Sequence, residues 1–396
     1  MVDISKIRNV TVIGSGAMGY GIAQVAIMAG YNVTLVDIKE TIVNNSVIKI
    51  KEGLKKVQMK GKLEGGVSIL ELMSRCSTST DLSYAVKKSD FVFEAISEKL
   101  DVKKQVCNQV MENSPSHCIF ASNTSTFRIT DIAKDSLNPQ NVIGMHFFFP
   151  VVLQCCVEVM KGEKSSDISL DIGVEMGKSL PCLKGKRLSV RIEKESPGFI
   201  ANRLLIPPII YLSWIFDEAA EKGIPWEQID ADAEARRLTP MGPCELTDYL
   251  GIDTTYNSLR SYEKIFSPDF APGKILTEFV NKGHLGRKTG QGFYEWTKGK
   301  AEINLDKKAG ILNPEMTMAI MLNEGCKLLE ENVVSGYKVI DEVMLAGTSM
   351  PGPFGPGKKN YEKWSKMLEN FVVVSNKKFL KPCELMKSGG FINMRK

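Results

Sequence analysis

Histidine is scarce in this chain: three in 396 residues, at positions 117, 146 and 284. Any proton transfer that needs an imidazole therefore falls on His117, His146 or His284. Nine cysteines are present without one C-x-x-C pair. Neither a zinc site nor a disulfide framework is indicated, and free thiols in a reducing compartment are the simplest expectation. Cys155 and Cys156 are adjacent and read as structural or surface residues. No run of five or six basic residues occurs and the net charge is only +5, so nucleic acid is not an expected partner. No apolar run reaches the roughly 18 residues that cross a bilayer. The polar stretch Met1–Asn9 is unlike a secretory leader, so a cytoplasmic protein without a membrane partner is expected. The 33 glycines show no three-residue period, which excludes a collagenous chain.

What is present is the balance of a globular protein, 43% apolar and 24% charged. At about 150 residues per domain, the length suggests two or three domains. Val10–Ile13 is a β-branched run ending at glycine. Gly14-Ser-Gly16-Ala17-Met18-Gly19 follows, then an apolar stretch from Ile22 to Ala29, then Asn32–Asp37. Strand, glycine turn, helix and strand make one βαβ unit of a dinucleotide-binding fold. Gly14 permits the tight turn, Gly16 lets backbone approach a pyrophosphate, and Gly19 lets the helix sit against the strand. The helix N-terminus then offers unpaired N–H groups to phosphate. Asp37, 18 positions after Gly19, would accept from ribose hydroxyls and repel a 2′-phosphate, favouring NAD over NADP. The following Lys39 weakens that preference slightly; an ordinary helix cap or turn acid is the alternative, and the complete βαβ unit favours the ribose contact over it.

Further strand-like runs are Asp90–Glu94, His117–Ala121 and Asn141–Met145, separated by helical patterns such as Lys99–Met111. The alternation predicts an α/β Rossmann-type doubly wound, mostly parallel sheet. The Lys-rich stretch from Glu40 to Ser74, containing Gly61, Gly65 and Gly66, is too long for a simple crossover and predicts an excursion from the sheet.

Ligands of such sheets lie beyond the carboxyl ends of the strands. Glu94 and Glu98 follow one strand, Ser122-Asn-Thr-Ser125 the next, and His146 the third. Glu158, twelve residues on, sits in Cys156–Met160, which reads as a returning strand. That return can set a carboxylate beside the imidazole, fixing its tautomer and stabilising its cation. His146 lies in apolar Gly144-Met-His-Phe-Phe-Phe-Pro150, where a neutral imidazole can take a proton from an alcohol. A core histidine bonded to a backbone carbonyl is the bland alternative. A Ser125/His146 hydrolase lacks the G-x-S-x-G elbow.

These residues resemble the L-3-hydroxyacyl-CoA dehydrogenase family. The likeness rests on Gly14–Gly19, Phe93-Glu-Ala-Ile-Ser-Glu98, Ala121–Ser125, Gly144-Met-His-Phe-Phe and Val157-Glu-Val. It continues through Ser196-Pro-Gly-Phe-Ile-Ala-Asn202-Arg, Pro240-Met-Gly-Pro and Gly286–Phe293, in order, over residues 9 to about 296. The resemblance implies NAD-dependent, reversible oxidation of L-3-hydroxyacyl-CoA to 3-ketoacyl-CoA. It makes His146 the general base, Glu158 its partner, and Ser125 and Asn202 donors to the reacting oxygen. It also assigns Glu98, Lys103, Ser125 and Lys288 to the cofactor and Lys60 to the CoA phosphates. Lys60 stands in a Lys-rich stretch and reads equally as a solvated charge; Arg128 and Asp131 read as structural or surface residues. Short-chain substrates such as 3-hydroxybutyryl-CoA are expected. The family pattern His-Phe-Phe-Asn-Pro departs here, with Phe149 in place of the Asn that the family sets near the nicotinamide. Phe offers no side-chain hydrogen bond, a loss of roughly 0.5–1.5 kcal/mol. Two alternatives stay open: a weakened dinucleotide-binding homologue, and a dehydrogenase of a non-CoA 3-hydroxy acid.

From Pro197 the pattern turns helical, with Phe199–Lys222 reading as one buried helix. Gly223–Asp230 leading to Pro240–Pro243 is echoed by Gly336–Asp341 leading to Pro353–Pro356; both Gly223/Gly336 and Pro240/Pro353 stand 113 positions apart. Residues 301–396 thus read as a degenerate second copy of an all-α domain, with Met318–Glu324 serving as packing rather than as a second site. The expected domains are 1–190 (NAD-binding), 191–300 (first all-α) and 301–396 (second copy). Single-copy members are expected to dimerise through the α-domain, so the tandem form implies an intrachain pseudo-dimer that is monomeric or only weakly homo-oligomeric. The chain is too short to hold a crotonase-type domain as well, so a separate enoyl-CoA hydratase is the expected pathway partner.

Overall fold

The computed structural model describes residues 4–63, 66–233 and 241–396; Gly65 and Pro240 lie outside them. The chain divides into two compact units, residues 1–200 with 342–349, and residues 201–341 with 350–396.

The first unit is built on an eight-stranded sheet. Its strands are β1 (Asn9–Ile13), β2 (Asn32–Val36), β3 (Cys76–Ser79), β4 (Phe91–Glu94), β5 (Ile119–Ser122), β6 (Val142–Phe147), β7 (Cys156–Lys161) and β8 (Leu188–Ile192). Their order is β3-β2-β1-β4-β5-β6-β7-β8. Every neighbouring pair is parallel except β6 and β7. Between β1 and β4 the order reverses, which opens the crevice where such sheets bind ligands. The inner strands are continuous apolar runs because helices cover both faces; all four residues of β4 are buried. Each fully buried Val, Leu, Ile or Phe contributes about 1.5–3 kcal/mol.

The helices of this unit are α1 (Ala17–Met28), α2 (Glu40–Met59), α3 (Ile69–Ser74), α4 (Leu82–Ala85), α5 (Leu100–Asn113), α6 (Ile129–Ile132) and α7 (Asp167–Ser179). The expected excursion is α2 and α3. The 20-residue α2 turns Val43, Ile50, Leu54 and Val57 inward at helical spacing and leaves its lysines outside. At Gly53 a Cβ would stand 2.3 Å from the Gln24 amide oxygen, so glycine lets α2 approach α1.

Two strands were not foreseen. β3 (CSTS) has no apolar run to reveal it, and β8 (LSVRI) is only partly buried. One expectation is corrected: Cys155 and Cys182 form a disulfide, with Cα atoms 5.5 Å apart, while seven cysteines are free. The backbone explains their approach, since Leu183 N donates to Val152 O and Leu188 N to Cys155 O. A separation of 27 residues with no repeated spacing gives the sequence no means to announce the pair.

The second unit is helical: α8 (Ala201–Leu205), α9 (Pro208–Glu221), α10 (Trp226–Ala233), α11 (Pro243–Leu250), α12 (Ile252–Ile265), α13 (Lys274–Lys282), α14 (Glu315–Glu330), α15 (Tyr337–Val343, whose end belongs to the first unit), α16 (Phe354–Ser375) and α17 (Glu384–Ser388). The single helix expected over Phe199–Lys222 is two, broken at Pro207-Pro208, whose rings remove two N–H donors. Gly198 (φ 84°) and Phe199 (φ 53°) are left-handed, which delays the helix to Ala201.

Candidate active site

His146 and Glu158 face each other as direct partners in the antiparallel β6–β7 ladder. Directly opposed residues share one face of a sheet, so the two side chains meet. His146 Nδ1 and a Glu158 carboxylate oxygen are 2.7 Å apart, and Glu158 is fully buried. A carboxylate only accepts, so Nδ1 carries the proton and Nε2 is left as the basic nitrogen. The other Glu158 oxygen accepts from Ile200 N–H at 2.8 Å. Both oxygens of a buried charge are thus satisfied, by bonds worth about 1.5–3 kcal/mol each. The left-handed pair Gly198–Phe199 aims that N–H at Glu158; a non-glycine residue at positive φ beside a carboxylate is strain of the kind functional sites hold. Phe199 and Phe148 flank the imidazole, their ring centroids 5.2 and 4.9 Å from it. Neither flanking role was read from the sequence; for Phe148 the aromatic run around His146 was the available signal.

The other foreseen residues fall as follows. Glu98 accepts from Thr124 Oγ1 at 2.6 Å and Ser125 N at 3.0 Å, which fixes the turn after β5. Ser125 is half-buried there, its hydroxyl 3.2 Å from that of Thr126. Lys103 is buried between Glu94 at 2.8 Å and Glu98 at 3.1 Å, so it touches the site's edge through Glu98. Glu94, also singled out at its strand end, accepts from Ser122 Oγ and Ile96 N and belongs to the sheet's interior. Asn123 and Thr124, unassigned before, tie the turn: Asn123 Oδ1 accepts from Phe147 N, next to His146. Arg128 pairs with Glu195 on the surface, as foreseen. Lys60 is exposed at the end of α2. Asn202 stands on α8 of the second unit, half-buried. Lys288, also in that unit, pairs with Asp253.

Asp37 Oδ2 accepts from both the N–H and the hydroxyl of Ser15, at 2.7 and 2.8 Å. The acid at the end of β2 is thereby locked to the glycine turn. The turn fits a dinucleotide. At Gly19 a Cβ would lie 1.7 Å from Gly14 O, and at Gly14 (φ 89°) 2.5 Å from Ala95 O, so neither tolerates a side chain. Above Gly16 the space is open, and no side chain caps the N-terminus of α1. Open N–H groups on a packed glycine turn suit a pyrophosphate. Beside it, a cleft of about 220 Å³ is lined by Tyr20, Gln24, Lys49, Lys56, Phe149 and Val152. Phe149 is 57% exposed there. Among the described residues no cluster could hold a metal ion, and no helix is long and apolar enough to cross a membrane.

A dinucleotide cradle with a buried carboxylate–histidine pair at a strand end is the equipment of a dinucleotide-dependent dehydrogenase. Comparison with known proteins specifies which kind. The NAD-binding domain of 3-hydroxyacyl-CoA dehydrogenase matches residues 9–187, and the C-terminal domain of that enzyme matches residues 198–296. Mitochondrial hydroxyacyl-coenzyme A dehydrogenase of Sus scrofa is 39% identical over 298 residues, covering 73% of this chain and 91% of the relative. The 3-hydroxybutyryl-CoA dehydrogenase of Clostridioides difficile is 34% identical over 292 residues, 73% of this chain and 100% of the relative. The crystal structure of 3-hydroxybutyryl-CoA dehydrogenase from Escherichia coli K12 matches with a TM-score of 0.82 at 27% identity, covering 98% of this chain and 99% of that one. The chain belongs to the 3-hydroxyacyl-CoA dehydrogenase family.

Proposed function

We propose that the protein oxidises L-3-hydroxyacyl-CoA to 3-ketoacyl-CoA with NAD, reversibly. The observation that carries this reading is the His146–Glu158 pair, 2.7 Å apart, set in the β6–β7 ladder of a dinucleotide-binding sheet. When bound, NAD supplies the two-electron acceptor; Gly14, Gly16, Ala17, Met18, Gly19 and Asp37 would hold it, with Glu98, Lys103, Ser125 and Lys288. His146 Nε2 takes the hydroxyl proton as the carbonyl forms, and returns it in the reverse direction. Glu158 keeps Nδ1–H oriented and stabilises the imidazolium. General base catalysis of this kind contributes about 10²–10⁴-fold. The Ser125 hydroxyl and Asn202 amide donate to the substrate oxygen as alkoxide character develops. Lys60 meets the CoA phosphates. Relatives named 3-hydroxybutyryl-CoA dehydrogenase support a short-chain substrate.

The test is NADH oxidation with acetoacetyl-CoA and with free acetoacetate. Turnover of the thioester alone is expected; equal turnover of the free acid moves the substrate class away from CoA. No turnover with intact NADH binding leaves a weakened homologue. His146→Gln should lose about 10²-fold or more in kcat, and undiminished turnover would overturn the base.

The same reading has three domains, 1–190, 191–300 and 301–396, the last a second, degenerate copy of the middle one. Two matching caps support it. Asp230 accepts from Cys244 N and Glu245 N at the start of α11, where a Cβ on Gly242 would meet its carboxyl at 2.4 Å. Asp341 accepts from Phe354 N at the start of α16, where a Cβ on Gly352 would meet its carboxyl at 1.9 Å. In each, an aspartate of one helix caps the next and only glycine fits between. The capping aspartates are 111 positions apart and the prolines Pro243 and Pro353 are 110 apart, so the caps pair Pro353 with Pro243, three positions off the 113 spacing that pairs it with Pro240. An intrachain pseudo-dimer, cytoplasmic residence and a hydratase on another polypeptide complete the reading.

A further inference from the structure

We propose that the π-helical turn Met344–Thr348 is a positioning element for His146, acting through Phe148. The inference rests on His146 being the base. The turn lies almost 200 residues beyond His146, outside the part of the chain matched by the family's two domains, yet residues 342–349 belong to the first unit.

Three ties hold it there. Cys155 N–H, at the start of β7, donates to Ala346 O at 3.0 Å. Lys184 Nζ donates to Ser349 Oγ at 3.3 Å, and Ser349 Oγ is 3.5 Å from Gln154 Oε1. So anchored, the turn presents Gly347 to the ring of Phe148. A Cβ on Gly347 would stand 2.9–3.0 Å from three of its carbons, closer than such contacts normally run. The backbone therefore packs closely against the ring, and glycine is what the fit demands. The same ring neighbours the imidazole, centroid to centroid 4.9 Å. Phe199 is a second aromatic neighbour of the imidazole, its ring centroid 5.2 Å away.

The chain of contacts is continuous: turn, Phe148, His146, Glu158. Glu158 fixes one ring nitrogen, but a single hydrogen bond leaves the imidazole free to rock about it. Packing from Phe148 removes that freedom, and the turn removes the freedom of Phe148. π-turns interrupt helices most often at functional sites, and this one supplies the wider backbone spacing on which the ring rests. The C-terminal segment thus contributes to the chemistry of the first unit without supplying a reacting group.

The experiment uses the full-length protein and the variants Gly347→Ala, Phe148→Leu and their combination. kcat is measured per NADH-binding site with acetoacetyl-CoA, together with KM for NADH and the thermal midpoint. Each single variant should lose about tenfold in kcat through misplacement of the base, with KM for NADH unchanged. The double variant should recover to within about threefold of wild type, because the shorter leucine side chain in place of Phe148 leaves room for the added methyl. Wild-type kcat in both single variants, or a double variant carrying the product of the two losses, overturns the proposal. Should Gly347→Ala fail to fold, Phe148→Leu decides alone, by loss or retention of kcat at full NADH binding. His146→Gln separates the two levels. If it keeps turnover, the base assignment falls; if it is inactive while the packing variants are normal, only the positioning role falls.

Discussion

At the residue scale the site turns on which atom of His146 bears the proton. Glu158 accepts at Nδ1, and Ile200 N–H occupies the carboxylate's other oxygen, so the acid cannot turn away. Glu158→Gln keeps the shape but can present an N–H to Nδ1, which reverses the tautomer and blocks Nε2 as a base. We expect kcat to fall by about 10²–10⁴-fold with the thermal midpoint little changed. Steady-state NADH oxidation on folded enzyme checks this. A loss below threefold would mean that Glu158 only supports the strand pair. The pair was legible from the sequence because a strand, a short return and a second strand set the partners twelve residues apart. What was not legible was the setting: the left-handed backbone of Gly198–Phe199 and the Phe199 ring arise from a segment that no local pattern joins to His146.

At the scale of elements, the βαβ unit and the strands β4 to β7 announce themselves because burial on both faces demands unbroken apolar runs. β3 does not, because an edge strand needs no such run. The N-terminal end of the sheet carries a pH signature. Asp90, just before β4, accepts from the N–H groups of Arg8 and Asn9 at the entry to β1, both at 2.8 Å, and pairs with His117. Burial opposes its ionisation, but the bonds from Asn9 and Arg8 and the His117 imidazole outweigh it and hold the carboxyl below its ordinary range. A depressed acid adds stability above its unfolded pKa, and that stability is lost as pH falls through the folded value. Asp90→Asn should therefore be less stable than wild type at pH 7, by about 1 kcal/mol. The gap should close as the pH drops below about 3.9. Urea unfolding of both proteins across that range is the measurement; a gap independent of pH would contradict it.

The second unit has its own buried ionic element. Arg203 on α8 meets Glu331 through two 2.9 Å bonds and Glu324 on α14 at 3.4 Å, and its guanidinium lies over the Phe266 ring. Glu324 is fully buried and also holds Lys327. Burial disfavours the Arg203 charge, yet the carboxylates outweigh it and raise its pKa. Arg203→Met strands part of a buried charge and should cost about 3–5 kcal/mol. Arg203→Met with Glu324→Met should cost less than the single change, since no buried acid is left short of a partner. Denaturant unfolding of the two variants decides it, and a double variant worse than the single would refute the argument.

At the scale of the molecule, the question is what the residues beyond the family's two matched domains are for. Relatives such as the Sus scrofa enzyme are covered to 91% by 73% of this chain. The remainder supplies α14, with 12 of its 16 residues buried, packed in the second unit against α8, α9, α16 and α17. Apolar faces of this extent do not stay open in water; they are covered by a second chain or by the same one. Here the same chain covers them. Among the described residues of the second unit, the large apolar side chains left exposed are six, Tyr249, Leu250, Ile265, Val373, Val374 and Ile392. A stable interface needs about 800 Å² on each partner, more than these six supply. The protein should therefore sediment as a single chain of 43.9 kDa at micromolar concentration. Its activity per milligram should then be independent of dilution. A dimer that persists at micromolar concentration, or activity that falls on dilution in parallel with dissociation, would show that the C-terminal segment leaves a face for a partner and that the pseudo-dimer reading is wrong.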